Sequence, residues 1–219
     1  MKLLLENWRQ YIAEDEAAYF PWLKALKEQG TEILFDEKKF KRIGSGAFRV
    51  VFQPIGDKEH VVKISKEKNL NWMNQIESKL GNEYPAIFPK TFVHSDDWEW
   101  MVQEAVEVIT RKNLDKLETM LSVSFPDFHM DYGTTEEYED PYELWFMIRQ
   151  SIENPITNDE KEFQDFGLNT SSGVYRQLSS AVHRHNMDPE DLDLGNIGIN
   201  KDGELRIHDA SVFMKPENL

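Results

Sequence analysis

What most restricts the fold of this chain is a change of hydrophobic period near residue 40. Up to that point large apolar residues recur at helical spacing: Leu4, Trp8, Tyr11 and Ile12, then Tyr19, Trp22, Leu23 and Leu26. This predicts a helical segment over about Lys2 to Lys27, broken near Pro21 and stopped by Gly30. From Phe40 the pattern becomes short β-rich runs, Phe40 to Ile43, Arg49 to Gln53 and His60 to Ile64. Gly44-Ser45-Gly46 and Ile55-Gly56-Asp57-Lys58 separate them, so a three-stranded antiparallel meander is expected. A helix follows over about Lys68 to Leu80, ended by Gly81-Asn82. Apolar runs at Thr91 to Val93 and Trp98 to Glu104 then complete five strands with one inserted helix.

After Val106 the period turns helical again, over about Arg111 to Leu121, Pro141 to Ile152 and Ser172 to Asn186. Asp140-Pro141 suits an N-cap followed by a first-turn proline. The acidic, tyrosine-bearing stretch Asp127 to Glu139 reads as a solvated loop. Near the end, Asn196 to Ile199 and Glu204 to His208 form a hairpin around Asn200-Lys201-Asp202-Gly203. The fold class is α+β, in three parts: a helical segment 1–30, a five-stranded antiparallel unit 31–106 and a mainly helical unit 107–219. A chain of 219 residues with 40% apolar residues can bury one substantial core or two small lobes sharing a cleft.

Charge and cysteine usage narrow the function. Forty acidic against 25 basic residues leave a net charge of -15, which repels a nucleic-acid backbone. The absence of cysteine removes disulfides, thiolate metal sites and a cysteine nucleophile together. Leu3-Leu4-Leu5 is far too short for a secretory or membrane-spanning segment, and Glu6 ends it. A cytoplasmic protein with no membrane or nucleic-acid partner is expected.

The residues that carry chemistry gain meaning from their order. Taken alone, Ile43-Gly44-Ser45-Gly46-Ala47-Phe48-Arg49-Val50-Val51-Phe52 marks a turn between strands. Val61-Val62-Lys63 then places a lysine on the third strand, Glu77 lies on the next helix, and Glu104-Ala105-Val106 closes the fifth strand. Further on, Asp191-Leu192-Asp193-Leu194-Gly195-Asn196 matches a D-L-x-x-x-N pattern at every fixed position. One hairpin separates Asn196 from Asp209, enough to bring the two oxygen ligands together around a hard cation such as Mg²⁺.

In this order the motifs resemble the protein-kinase-like superfamily, which includes protein kinases and small-molecule kinases of the aminoglycoside-phosphotransferase type. The resemblance spans roughly Phe40 to Ser211. It implies a two-lobed fold binding ATP and Mg²⁺, with Gly44, Ser45, Gly46, Ala47 and Phe48 covering the phosphates. Lys63 would contact the phosphates and pair with Glu77, while Glu104 to Val106 would offer backbone contacts to adenine. Asp191 would orient or deprotonate the acceptor hydroxyl, and Asn196 and Asp209 would bind metal.

Departures from the pattern divide the functional expectation. Arg49 replaces the third glycine of the phosphate loop, Pro189-Glu190-Asp191 replaces H-R-D, and Asp209-Ala210-Ser211 replaces D-F-G. Asp193 stands where protein kinases commonly carry a lysine, so positive charge is lost beside the transferring phosphate. Only eight residues follow Ser211 in this sequence, too few for an activation segment or peptide-docking helices. Two readings stand: a minimal ATP- and Mg²⁺-dependent phosphotransferase whose acceptor is a protein or small molecule, and a non-catalytic binding or structural module of the same fold. Turnover is open between them.

Ile12-Ala13-Glu14, in an amphipathic context, resembles the cleavage tripeptide of capsid-targeting leaders in large tailed bacteriophages. That resemblance adds the virion as a possible location, against the alternative of a helix packed on the domain. His183 and His185 fall at a helix end, where their side chains diverge rather than share a metal. His208 could orient Asp209 or serve as a core residue, and Trp98 with Trp100 reads as one core-facing strand pair.

Overall fold

The computed structural model describes residues 20–126, 141–153, 169–185, 187 and 192–209. The Ile12-Ala13-Glu14 tripeptide, the loop from Asp127 to Glu139 and Asp191 lie outside the described residues. Helix α1 runs Pro21–Gln29, with proline at its first turn, where a missing N–H removes no helical bond. A 3₁₀ turn, Gly30–Phe35, leads into the sheet.

Five strands follow, β1 Phe40–Ser45, β2 Arg49–Pro54, β3 His60–Ser65, β4 Thr91–His94 and β5 Trp100–Glu104. They form one antiparallel sheet in the order β1-β2-β3-β5-β4. Helix α2, Asn71–Glu83, is inserted between β3 and β4. The fold is therefore α+β around a five-stranded antiparallel sheet, as the change of period predicts.

One face of this sheet packs on α1 and the 3₁₀ turn. Leu23, Leu26, Ile33 and Leu34 share a core with Phe40, Phe52, Val62 and Val102. A second core joins Ile76 and Leu80 of α2 to helices α3 Leu114–Ser124, α4 Pro141–Glu153 and α5 Gly173–His185. It also takes in β7 Ile197–Ile199 and β8 Leu205–Ile207. Because α2 supplies residues to the second core while its strand neighbours belong to the first, it ties the sheet to the helical part.

Three local expectations differ from the structure. Helix α2 continues through Gly81 to Glu83. A Cβ at Gly81 would lie 2.6 Å from the Pro89 carbonyl oxygen, so the glycine permits close packing and does not end the helix. Trp98 is not on β5: it has φ 62° in the turn before the strand and stacks on His94 at 3.5 Å. Trp100 alone is the core residue of that pair. Finally, Glu107–Val108 forms a short strand, β6, which pairs with β7 in a second sheet of order β6-β7-β8.

Candidate active site

A cavity of about 340 Å³ opens between the β1–β2 loop, the end of β5 and the segment after β8. This lies within the range of about 300–1,000 Å³ common for small-molecule sites. Its roof is Gly44 to Phe48. The register of β1 against β2 shifts between Arg42 and Gly44, and the Gly46 N–H donates to the Arg49 carbonyl at 3.0 Å, so the loop turns tightly. A Cβ at Gly46 would meet no atom within 4 Å, so packing does not require glycine there. Its absence of side chain leaves space on an open loop.

Val51 and Val61 give the cavity apolar walls, with Ile43 and Val108 at its mouth. Glu104 and Val106 form the hinge edge. The Glu104 N–H donates to the Lys90 carbonyl and the Ala105 N–H to the Glu59 carbonyl, both at 2.8 Å. The adenine contacts expected of Glu104 therefore exclude its own N–H. Its carboxylate takes part in a brace: Arg206 Nε donates to Oε2 at 2.7 Å and Asn200 Nδ2 to Oε1 at 3.1 Å. Arg206 Nη2 also donates to Glu204 Oε2 at 2.8 Å. Beside the hinge, Gln103 Oε1 is buried without a hydrogen-bond partner among the described residues, an acceptor on a residue that lines the cavity.

The inner end of the cavity holds a charge cluster. β3 delivers Lys63 and α2 delivers Glu77, which is 0% exposed. Lys63 Nζ donates to Glu77 Oε1 and, at 2.6 Å, to the His208 carbonyl. Arg49, only 6% exposed at the start of β2, donates from Nη1 to Glu77 Oε2 and from Nη2 to Asp209 Oδ1. One guanidinium thus links the glycine-loop strand, α2 and the segment after β8.

These contacts govern protonation. Burial would raise the Glu77 carboxyl, but Arg49 and Lys63 hold it at about 2, so it stays ionised. Burial pushes the Lys63 ammonium below its ordinary range, and Arg49 adds to this against the pull of Glu77. For Arg49 burial works the other way from its carboxylate partners, and Glu77 and Asp209 win, holding the guanidinium above its ordinary value. His208 is lowered to about 4 by burial, reinforced by the Lys63 charge, and is neutral near pH 7.

The hairpin brings the backbones of the two expected metal residues close together, and of the pair Asp209 lines the cavity. Ile197 pairs with Ile207, and the His208 N–H donates to the Asn196 carbonyl at 3.0 Å, which places Asp209 beside the turn that Asn196 ends. Yet Asp209 Oδ1 is engaged by Arg49, and both Glu77 oxygens accept from cations. Among the described residues no group of three or more acidic or histidine side chains could hold a metal ion. As arranged, the Glu77 carboxylate and Asp209 Oδ1 serve the guanidinium and the ammonium, which leaves Asp209 Oδ2 as the carboxylate oxygen of this cluster open to a divalent cation.

Around the catalytic-loop motif, Trp145 Nε1 donates to the buried Leu192 carbonyl at 2.9 Å, fixing the chain one residue after Asp191. Asp193 Oδ1 accepts from Arg149 Nη1 of α4 at 3.0 Å, a cation that sequence order does not reveal. His183 is exposed, and His185 lies 3.4 Å from Glu83, so the two histidines do diverge. Sequence reasoning missed the Arg49 bridge, Gln103 and the Arg206 brace. For Arg49 the sequence offered its place at the third glycine position of the loop, which marks a cation there but not its partners.

No protein-family model matches this chain, and no curated protein does. Among solved structures the chain is similar to the ADP-bound aminoglycoside phosphotransferase APH(2'')-Ib, at 12% identity and TM-score 0.40, over 85% of this chain and 71% of that one. The streptomycin-ATP complex of APH(2")-IIa gives 12% and 0.40 over 89% and 72%. The choline kinase LicA from Streptococcus pneumoniae gives 14% and 0.36 over 86% and 68%. Overlap of this extent says nothing of activity or ligand, which rest on the cleft itself. No helix among the described residues is long and apolar enough to cross a membrane.

Proposed function

We propose that this chain binds ATP in the cleft between the β1–β2 loop and the hinge, and acts as a phosphotransferase of kinase-like architecture. The observation that supports this reading is the convergence of a glycine loop, the buried Lys63–Glu77 pair and an apolar slot on one cavity. A purine would lie against Val51 and Val61, which share one face of neighbouring strands, beside Gln103 at the end of β5. Lys63, aimed by Glu77 and the His208 carbonyl, meets the phosphates under the loop of Gly44 to Phe48. Asp191 handles the hydroxyl of an acceptor, a small molecule or protein. Arg49 holds Asp209 Oδ1, so a divalent cation at Asn196 and Asp209 would have to share that carboxylate with the guanidinium.

A second reading, nucleotide binding without turnover, is favoured by that same bridge, which occupies the phosphate end of the cleft. Thermal melts with ATP test the binding common to both. A ligand at a hundredfold excess over Kd stabilises the folded state by about 2.7 kcal/mol. Lys63→Ala should lose most of this stabilisation, and no shift of the wild type at millimolar ATP would remove both readings. Labelled-phosphate transfer then separates them: turnover that Asp191→Asn abolishes, with ATP binding retained, supports the phosphotransferase, and binding without transfer supports the module.

A further inference from the structure

Resting on the ATP reading above, we propose that Arg49 is the resident cation of this cleft, so that the site takes nucleotide without a divalent metal. Arg49 is buried yet lines the cavity at its phosphate end. It donates to Asp209 from one terminal nitrogen and to Glu77 from the other, and its remaining N–H groups are left for a ligand. Guanidinium suits this task, because its planar fork binds carboxylate and phosphate oxygens alike and stays charged at any working pH.

Charge and geometry both oppose a second cation beside it. Mg²⁺ completes its octahedron with waters and phosphate oxygens but still needs a carboxylate or two, and Asp209 Oδ1 and both Glu77 oxygens already accept from Arg49 or Lys63, which leaves Asp209 Oδ2 alone in this cluster. A divalent ion at Asp209 would also face the guanidinium at close range, with like charges repelling in a partly desolvated setting. Lys66 adds positive charge on the solvent side, where Nζ donates to the Gly46 carbonyl at 2.5 Å. Among the described residues there, Arg49, Lys63 and Lys66 stand against Glu77 and Asp209, so cations outnumber carboxylates in this cluster without metal.

Isothermal titration calorimetry with ATP, in EDTA and in millimolar MgCl₂, tests the proposal on the wild type, Arg49→Gly and Arg49→Lys. Wild-type Kd should differ by less than about threefold between the two conditions, whereas Arg49→Gly should bind at least about tenfold more weakly in EDTA and recover with Mg²⁺. Arg49→Lys, which keeps the charge but loses the fork, should fall between them. Electron paramagnetic resonance of Mn²⁺ alone gives an independent readout: no protein-bound signal for the wild type, and a bound signal once Arg49→Gly frees Asp209. Thermal melts confirm that each variant is folded. Wild-type binding that appears only with Mg²⁺ overturns the role of Arg49 and leaves the ATP reading standing. Absence of binding in both conditions removes the two together.

Discussion

Glu77→Gln tests the energetics of the charge cluster most directly. Glu77 is fully buried, and its two carboxylate oxygens accept separately from Lys63 and Arg49. Glutamine keeps the shape but turns one acceptor into a donor that faces a cation, and it leaves two buried positive charges with only Asp209 near them. Removing one partner of a buried ion pair commonly costs about 3–5 kcal/mol. Linkage gives a second figure. Relative to the reference value of 4.5, the Glu77 carboxyl is held at about 2 in the folded state. That difference is worth about 3 kcal/mol at neutral pH. Because the folded value is depressed, this stability is present above about pH 4.5 and is lost as pH falls through about 2. For a domain of this size, about 3 kcal/mol corresponds to a drop in melting temperature of about 6–12 °C. Urea unfolding at pH 7 and at pH 3 measures both parts. Glu77→Gln should be less stable at pH 7, and its deficit should shrink at pH 3. A variant within about 0.5 kcal/mol of the wild type at pH 7 would refute the claim that the cluster stabilises the fold.

Two other perturbations read different parts of the cleft. His208→Gln should flatten the loss of stability on acidification between about pH 6.5 and pH 4, since the folded histidine is lowered to about 4 and the unfolded one protonates first. The effect is worth about 3 kcal/mol, and melts across that range check it; an unchanged pH profile refutes the assignment. Gly198→Ala should destabilise by about 1–3 kcal/mol and weaken ATP binding, because a Cβ there would come within 2.4 Å of Val106 Cγ1 and 2.5 Å of the Glu107 carbonyl oxygen. Melts and calorimetry decide it, and a variant equal to the wild type in both would show that β6 has slack.

The elements legible in the sequence are those whose apolar period is locally complete. The five strands, α2 and the β7–β8 hairpin can all be read from runs of Val, Ile and Phe punctuated by turn residues. Gly81 was misleading because a glycine demanded by close packing looks the same in sequence as one that ends a helix. Strand β6 was hidden because two residues carry no period, and only its partner β7, about ninety positions away, makes it a strand. The order of Lys63, Glu77, Asn196 and Asp209 could be read; Lys63, Glu77 and Asp209 meet in one charge cluster, and Asn196 is set near it through its backbone carbonyl. What Arg49 does could not be read. Its partners lie 28 and 160 residues away, and only the folded chain brings them to one guanidinium.

The brace at Glu104 has a mechanical consequence. Two lobes joined by a single strand can swing like the shells of a clam, and such swinging admits and releases ligand. Here the strand is splinted on both sides: Arg206 and Asn200 clasp the Glu104 side chain, and β6 is sewn to β7 immediately afterwards. Swinging would pull a buried guanidinium from its carboxylate, so the back of the cleft behaves as a fixed wall. Among the described residues the β1–β2 loop, with its open Gly46 and exposed Phe48, is bonded only to its own strand and to Lys66 and has no such brace to the other lobe. If ATP binds as proposed, its release would then depend on the β1–β2 loop lifting like a flap rather than on the parting of the lobes.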